Sequence, residues 1–506
     1  MATTITDNID ERVRIAIIGS GFAGLGLATI LKRRGEESFV ILERANDVGG
    51  TWRDNDYPGA ACDIQSHLYS FSFRPNPHWS RVYARQAEIF TYLKNTAAEE
   101  GLLPHTRFGA EVIEAEWNES SSTWHITTAR GVVVADVLVA ASGHLSDPKT
   151  PDFPGMDQFQ GTVFHSASWK HDVDLRSRRV AVVGSGASAI QVIPAIAPEV
   201  EELVVFQRSA PYVIPRNDYV YTTTERSMFA RLPETAQQVR DELYWSNEAR
   251  FPQRRGIEAF VSRIRTTALD HLAAQVPDDE LRAKLTPDYA IGCKRILISN
   301  DFYPALQLPN VQLQTDGIAR FTETGVVTAG GDSIELDAVI MSTGFQASDL
   351  PIAHRIRGRD GELLSDAWSE GGQAFATTAV HGFPNMFIMN GPNAGLGAGS
   401  IIFVVESQID YIVGALDYMT KQSVSTLEAT AEAQAAFVKD IRRRSQGTVW
   451  VSGGCSSWYL DPRNGHLTTL WPDFMSRFRH ENGVFRPGGY EVHGHVGSRT
   501  PEVANS

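Results

Sequence analysis

Residues 13–18 form a largely apolar run, too short for a helix, that breaks at Gly19 and passes into helically spaced apolar positions over 25–34. Such a run, bounded by turn residues, predicts a strand buried on both faces. The succession recurs. The run 39–42 closes at Glu43, 179–183 leads through a second glycine turn into a helical run ending at Ile196, and 204–206 closes at Gln207. Strands alternating with helices predict an α/β fold with parallel sheets. Between these units the period falls to two: residues 111–139 alternate around a Ser-rich turn at 120–122 and predict an antiparallel meander. Further short strands are expected over 311–335, 337–341 and 385–389, and a helix over 402–419. Residues 215–288 are charged and rich in Arg, Glu and Ala, with helical spacing at 236–249 and 257–272, which predicts a helical insertion.

Both strand-to-helix turns carry a dinucleotide spacing. The first is Gly19, Gly21 and Gly24 with Phe22 and Ala23 between them; the second is Gly184, Gly186 and Ala189 with Ala187 and Ser188 between them. In this setting the first glycine permits a tight turn, the second lets backbone approach a pyrophosphate, and the third position allows close helix packing. Glu43 stands where a carboxylate accepts hydrogen bonds from ribose hydroxyls. Its counterpart is Arg208, with Ser209, and each of Glu43 and Arg208 lies 24 residues after the first glycine of its fingerprint. A guanidinium there favours a 2′-phosphate, which points to NADPH rather than NADH.

After the first unit come Gly49, Gly50, Thr51 and Trp52, then Tyr57, Pro58, Gly59, Cys62, Asp63 and Tyr69. Between the two fingerprints lie Phe159, Gly161, His165 and Trp169, in the spacing F-x-G-x-x-x-H-x-x-x-W. Together these strings resemble the flavin-dependent Baeyer-Villiger monooxygenases, nearest to the branch acting on aryl and larger ketones (4-hydroxyacetophenone monooxygenase-like). Lys170 departs from the Pro or Asp usual after the tryptophan and leaves room for the sister class that oxygenates nitrogen or sulfur.

The resemblance implies an FAD domain in two pieces, 1–155 and 337–506 with its tail, around an NADP domain at 156–336 that contains the insertion (about 215–290). It places FAD on the first fingerprint with Glu43, Arg44, Gly50, Thr51, Trp52, Asp63, Tyr69 and Asn393, the last in a run of small residues from Gly391 to Gly397. NADPH falls to the second fingerprint with Gln191, Arg208, Ser209, Lys294 and the Thr343-Gly344-Phe345 turn. In the segment Gly292, Cys293, Lys294, Arg295 the resemblance assigns Arg295 to face flavin and nicotinamide; Asp63, of opposite charge, is the partner expected to hold it in position. Trp450 and Trp458 are candidates for the substrate pocket and Trp471 for the core.

Composition narrows the rest. A net charge of −14 argues against nucleic-acid or anionic-membrane partners. No window approaches the roughly 20 apolar residues of a membrane span, and the expected location is cytoplasmic. Cys62, Cys293 and Cys455 are far apart and show no C-x-x-C, so no disulfide framework and no thiol redox pair are expected; metal-ligand spacings are missing too. The expected partners are a small ketone and O2, in a monomer or homodimer. The chemistry implied by the resemblance is hydride transfer to FAD, formation of a C4a-peroxyflavin, and oxygen insertion beside the carbonyl, giving ester or lactone. His165 is expected to act conformationally rather than chemically.

Overall fold

The computed structural model describes residues 9–495. Its first sheet has a parallel core ordered Thr106–Arg107, Phe39–Leu42, Glu11–Ile18 and Gly131–Ala140. Along Glu11–Ile18 the side chains alternate between two cores. Ile15 and Ile17 enter one with helix Phe22–Arg33, while Ala16 and Ile18 enter the other with Trp117 and Trp124. Gly131–Ala140 is long enough to serve two partners on its outer edge. Its first half pairs antiparallel with Thr123–Thr128, and its last residues pair parallel with Met386–Ile388. Helix Ile401–Gln422 then packs on Phe22–Arg33, so the start and the later part of the chain share one unit.

The second sheet is wholly parallel, ordered Val311–Gln314, Glu202–Phe206, Arg179–Val183, Ala338–Met341 and Thr162–His165. This corrects the expected boundary at 337. Ala338–Met341 is buried throughout and hydrogen-bonded on both edges inside the second sheet, so the return to the first unit comes after it. A buried strand ending in a small-residue turn looks the same in either sheet, and only pairing partners decide.

Two short segments carry the chain between the units side by side. Lys149 N donates to the Gly344 carbonyl and Gln346 N to the Asp147 carbonyl, both at 2.9 Å, with Pro148 opposite Phe345. The insertion comprises helices Thr223–Arg231, Pro233–Glu248, Phe251–Arg254, Glu258–Gln275 and Asp279–Lys284. It rests on both pieces of the first unit: Arg240 donates to the His67 and Ser70 carbonyls at 2.8 and 2.9 Å, and Glu248 accepts from the Met475 and Ser476 amides at 2.8 and 3.0 Å.

A second correction concerns the thiols. Cys293 and Cys455 form a disulfide across 162 residues. Spacing along the chain cannot show such a pairing, because it arises only when the tail folds back over the insertion. No helix among the described residues is long and apolar enough to cross a membrane.

Candidate active site

The two fingerprints are built alike. A Cβ on Gly19 (φ +102°) would lie 2.8 Å from the Ala141 carbonyl oxygen, and one on Gly184 (φ +120°) would lie 2.5 Å from that of Ser342. Each first glycine therefore lets its turn press against the residue just past the end of the neighbouring strand. In the first unit a Cβ on Gly50 would stand 3.0 Å from the Cα of Gly21, so the fingerprint and the Gly49-Gly50 turn form one cradle free of side chains. Gly50 precedes the short helix Thr51–Asp54. Glu43 is buried and accepts from Ser20 N at 3.1 Å, Ser20 Oγ at 2.5 Å and Ala45 N at 2.8 Å, with Arg53 3.0 Å away. Trp52 Nε1 donates to Tyr69 Oη at 3.0 Å, and the Tyr69 ring meets Phe22 edge-on. Burial pushes the Tyr69 phenol up and keeps it neutral.

At the second unit, Lys294 Nζ donates to Ser209 Oγ at 2.8 Å, beside exposed Arg208. Burial first, and the Arg208 charge second, hold the Lys294 ammonium below its ordinary pKa. Two cations and a hydroxyl thus collect past strand Glu202–Phe206, a donor set suited to a phosphate.

Arg295 and Asp63 meet between the units, with Nη2 2.5 Å and Nε 2.8 Å from Oδ2. Chiefly because of Asp63, the guanidinium is raised further above its ordinary pKa, and 44% of its side chain stays accessible. The backbone around Asp63 is held from both sides: Cys62 N donates to the Ala84 carbonyl at 2.9 Å, and Arg216 Nη2 donates to the Cys62 carbonyl at 3.0 Å. Arg216 was missed in the sequence because a lone arginine after a proline carries no pattern. His144 was missed as a site residue too. Burial depresses its pKa, Arg295 adds to this, and its ring lies 5.8 Å from that of Trp458.

Several expected ligands have other partners. Gln191 Nε2 donates to the Ala61 carbonyl at 3.0 Å, while its Oε1 accepts from Ala61 N at 3.3 Å and Tyr57 Oη at 3.1 Å. Its amide therefore clamps the 57–63 loop instead of facing a nucleotide. Asn393 Nδ2 holds the Leu467 and Leu470 carbonyls at 2.8 and 3.1 Å, so it anchors the tail. Arg44 pairs with Asp147 at 2.7 Å, and Thr343 Oγ1 donates to the Lys149 carbonyl at 2.6 Å; both brace the inter-unit links. Trp450 is 2% exposed and packs on Gly397, where a Cβ would sit 2.1 Å from its ring, so it has little surface for a substrate. Trp458 is 39% exposed, and Trp471 is buried against Phe478.

The 159–169 segment is structural in its detail. A Cβ on Gly161 would fall 2.4 Å from the Phe159 ring, which explains the spacing of those two. His165 ends strand Thr162–His165 at the Met341 register, is buried, and its Nδ1 accepts from Ala167 N at 3.0 Å. Its ring lies 5.8 Å from Phe345 in the return link. Trp169 meets Phe164 edge-on at 5.1 Å, and Lys170 is exposed in a turn closed by Val173 N to its carbonyl at 3.2 Å. That turn takes lysine without strain.

Residues 12–243 match the flavin-binding monooxygenase-like family model. Over 96% of its length the chain is 46% identical to a Baeyer-Villiger monooxygenase of Streptomyces coelicolor, covering 94% of that protein. The chain belongs to the flavin-dependent Baeyer-Villiger monooxygenases. A second member, from Pseudomonas aeruginosa, is 43% identical over 97% of this chain and 94% of its own. Among solved structures, an oxidised steroid monooxygenase bound to NADP is similar at TM-score 0.84 and 30% identity, over 95% of this chain and 99% of its own. A closed cyclohexanone monooxygenase follows at 0.83 and 28%, over 96% of this chain and 99% of its own. The family membership agrees with the cradle at Gly21 and Gly50 and with a second fingerprint one link away.

Proposed function

We propose that this Baeyer-Villiger monooxygenase converts a ketone to an ester or lactone with FAD and NADPH, Arg295 being the residue that stabilises the reacting oxygen. The observation that carries the reading is the Arg295–Asp63 pair between the two nucleotide units. FAD would be held by the Gly19 to Gly24 turn, Glu43 and Gly50, and NADPH by the second turn with Arg208, Ser209 and Lys294. Together the two cofactors would supply the hydride and oxygen-transfer chemistry. The protein supplies placement and charge. Arg295 stays protonated at any working pH, so a guanidinium already aimed by Asp63 stabilises negative charge as it develops on the ketone oxygen. Tyr69 and His144, both neutral at neutral pH, add no competing charge around it.

NADPH oxidation across a panel of aryl and aliphatic ketones, with products identified by mass, tests the reading. Ester or lactone in proportion to NADPH is expected. NADPH consumption that yields only hydrogen peroxide across the panel, or a sulfoxide from a thioether beside unreacted ketone, would overturn it.

A further inference from the structure

The two ends of the Cys293–Cys455 bond are anchored unequally. Cys293 is fully buried, two residues before Arg295, and its surroundings hold without the bond. Its amide donates to the Ala290 carbonyl at 3.0 Å, Leu297 N donates to that of Tyr212 at 2.9 Å, and Lys294 reaches Ser209. Cys455 is half-buried, and no acceptor among the described residues takes the amides of residues 454–458. Just before them the Gly453 carbonyl accepts from Ala290 N at 3.2 Å. A Cβ on Gly453 would stand 2.7 Å from Cys293 Cβ and 2.8 Å from its Sγ, so glycine lets the two loops meet there.

The loosely tied stretch carries Trp458, 39% exposed, with its ring 4.7 Å from Tyr459 and 5.8 Å from His144. The Arg295 charge lowers the pKa of both neighbours, so the stretch borders the Arg295 site and the sulfur bridge is its main tie to the second unit. A bond kept for stability alone gains nothing from leaving one sulfur half-buried, whereas exchange with an outside thiol requires it.

We propose that Cys293 and Cys455 form a peroxide-responsive modification site: hydrogen peroxide leaked beside them closes the bond, which ties down the Trp458 stretch and limits further leak, and a dithiol reopens it. The proposal rests on the flavin-oxygenase reading above for its source of peroxide, since NADPH, a proton and O2 give NADP+ and H2O2 whenever no ketone takes the oxygen. Cys455, the reachable sulfur, takes one oxygen from H2O2 as its thiolate and becomes a sulfenic acid, and the other oxygen leaves as water. The Cys293 sulfur then displaces the bound oxygen, which departs as a second water. In sum, two thiols and one H2O2 give one disulfide and two waters. For the reverse, one thiol of the dithiol attacks Cys455 Sγ and Cys293 leaves and takes up a proton. The second thiol then frees Cys455, so the reductant ends as the disulfide.

The test uses the FAD-loaded full chain, reduced with dithiothreitol and freed of it without air. Alkylation after denaturation is expected to count three labels, falling to one, on Cys62, after one equivalent of hydrogen peroxide, and returning to three with dithiothreitol. Peroxide released per NADPH without ketone should be several-fold higher in the reduced form, and a nonspecific protease should cut residues 453–458 faster. C455S should leak like the reduced form and ignore added peroxide. Three labels after peroxide, or a bond that dithiothreitol opens only in denatured protein, overturns the proposal and makes the pair a structural staple only. Reversible closure with equal leak and equal cleavage in both forms overturns it too. If C455S does not fold with FAD, the two forms of the wild type carry the comparison alone. No readout needs a ketone, so absence of ester with a responsive count and leak sinks the ketone reading and supports this one. Should NADPH not be oxidised, the thiol count and the cleavage decide.

Discussion

Arg295 Nη2 and Nε both meet one oxygen of Asp63, at 2.5 and 2.8 Å, across 232 residues of chain. Asp63 belongs to the loop that follows the flavin cradle, and Arg295 to the loop that leaves the insertion. Two nitrogens on one oxygen fix the direction of the guanidinium, so its orientation depends on how the two units sit together.

Arg295→Ala should therefore lower ester formation by about a hundredfold or more, the scale seen when a charge-stabilising donor is removed, while FAD stays bound by absorbance. Asp63→Ala leaves the charge and loosens its aim, so a smaller loss, about tenfold, is expected. Since Asp63 raises the Arg295 pKa, the guanidinium does not deprotonate below pH 10, and any alkaline fall of ester formation there must come from another group. Full retention of ester formation by Arg295→Ala would remove it from the site.

Lys294 supplies such a group. Its pKa is lowered by burial and by Arg208, so on raising pH it loses its proton before an ordinary lysine does. The prediction is a dissociation constant for NADPH that rises with alkaline pH while that for NADH does not. Lys294→Met should flatten this profile and cut the preference for NADPH by about tenfold. Stopped-flow flavin reduction measures both constants, and an unaltered profile in the variant would show that Lys294 is not at the phosphate.

His165 gives a different signature. Its Nδ1 accepts the Ala167 amide and its ring abuts Phe345, so it joins the edge strand of the second sheet to the return link. His165→Ala should raise the share of NADPH lost to hydrogen peroxide while FAD content holds. His165→Asn, whose side-chain oxygen can take the Ala167 amide, should recover much of the coupling. Loss of FAD at normal coupling would contradict this.

The disulfide predicts a labelling pattern. Cys62 is buried, with its thiol pushed up chiefly by burial, so the native protein should react slowly with alkylating reagents and the denatured, unreduced protein should take up one label. Cys455→Ser opens a 162-residue loop and should lower Tm by several degrees, by loop-closure entropy of about 4 to 5 kcal/mol at most. Three labels on the denatured, unreduced protein would mean that the pair does not form.

How much was readable in advance follows from the range of each interaction. Fingerprints, strands and the cationic corner at Arg208 are local, set by turn geometry and by what ends a strand, and the chain states them directly. Arg295 was named through resemblance and Asp63 as its partner by charge, and the structure brings them together. What was not legible is long-range. The resemblance assigns Gln191 and Asn393 to the nucleotides, and the chain gives no sign that their amides find Ala61 and the Leu467 to Leu470 stretch once the units close. The strand Ala338–Met341 was recognised as a strand and assigned to the wrong sheet, because an apolar run does not name its partner.

The two links between the units, Asp147 to Lys149 outgoing and Gly344 to Gln346 returning, are hydrogen-bonded to one another and braced by Arg44 and Thr343. A single strand would let the units drift and twist independently. A paired strap resists that twist, and the Cys293–Cys455 bond ties the loop carrying Lys294 and Arg295 to the tail of the first unit, so that the cationic corner and the guanidinium are held in one frame.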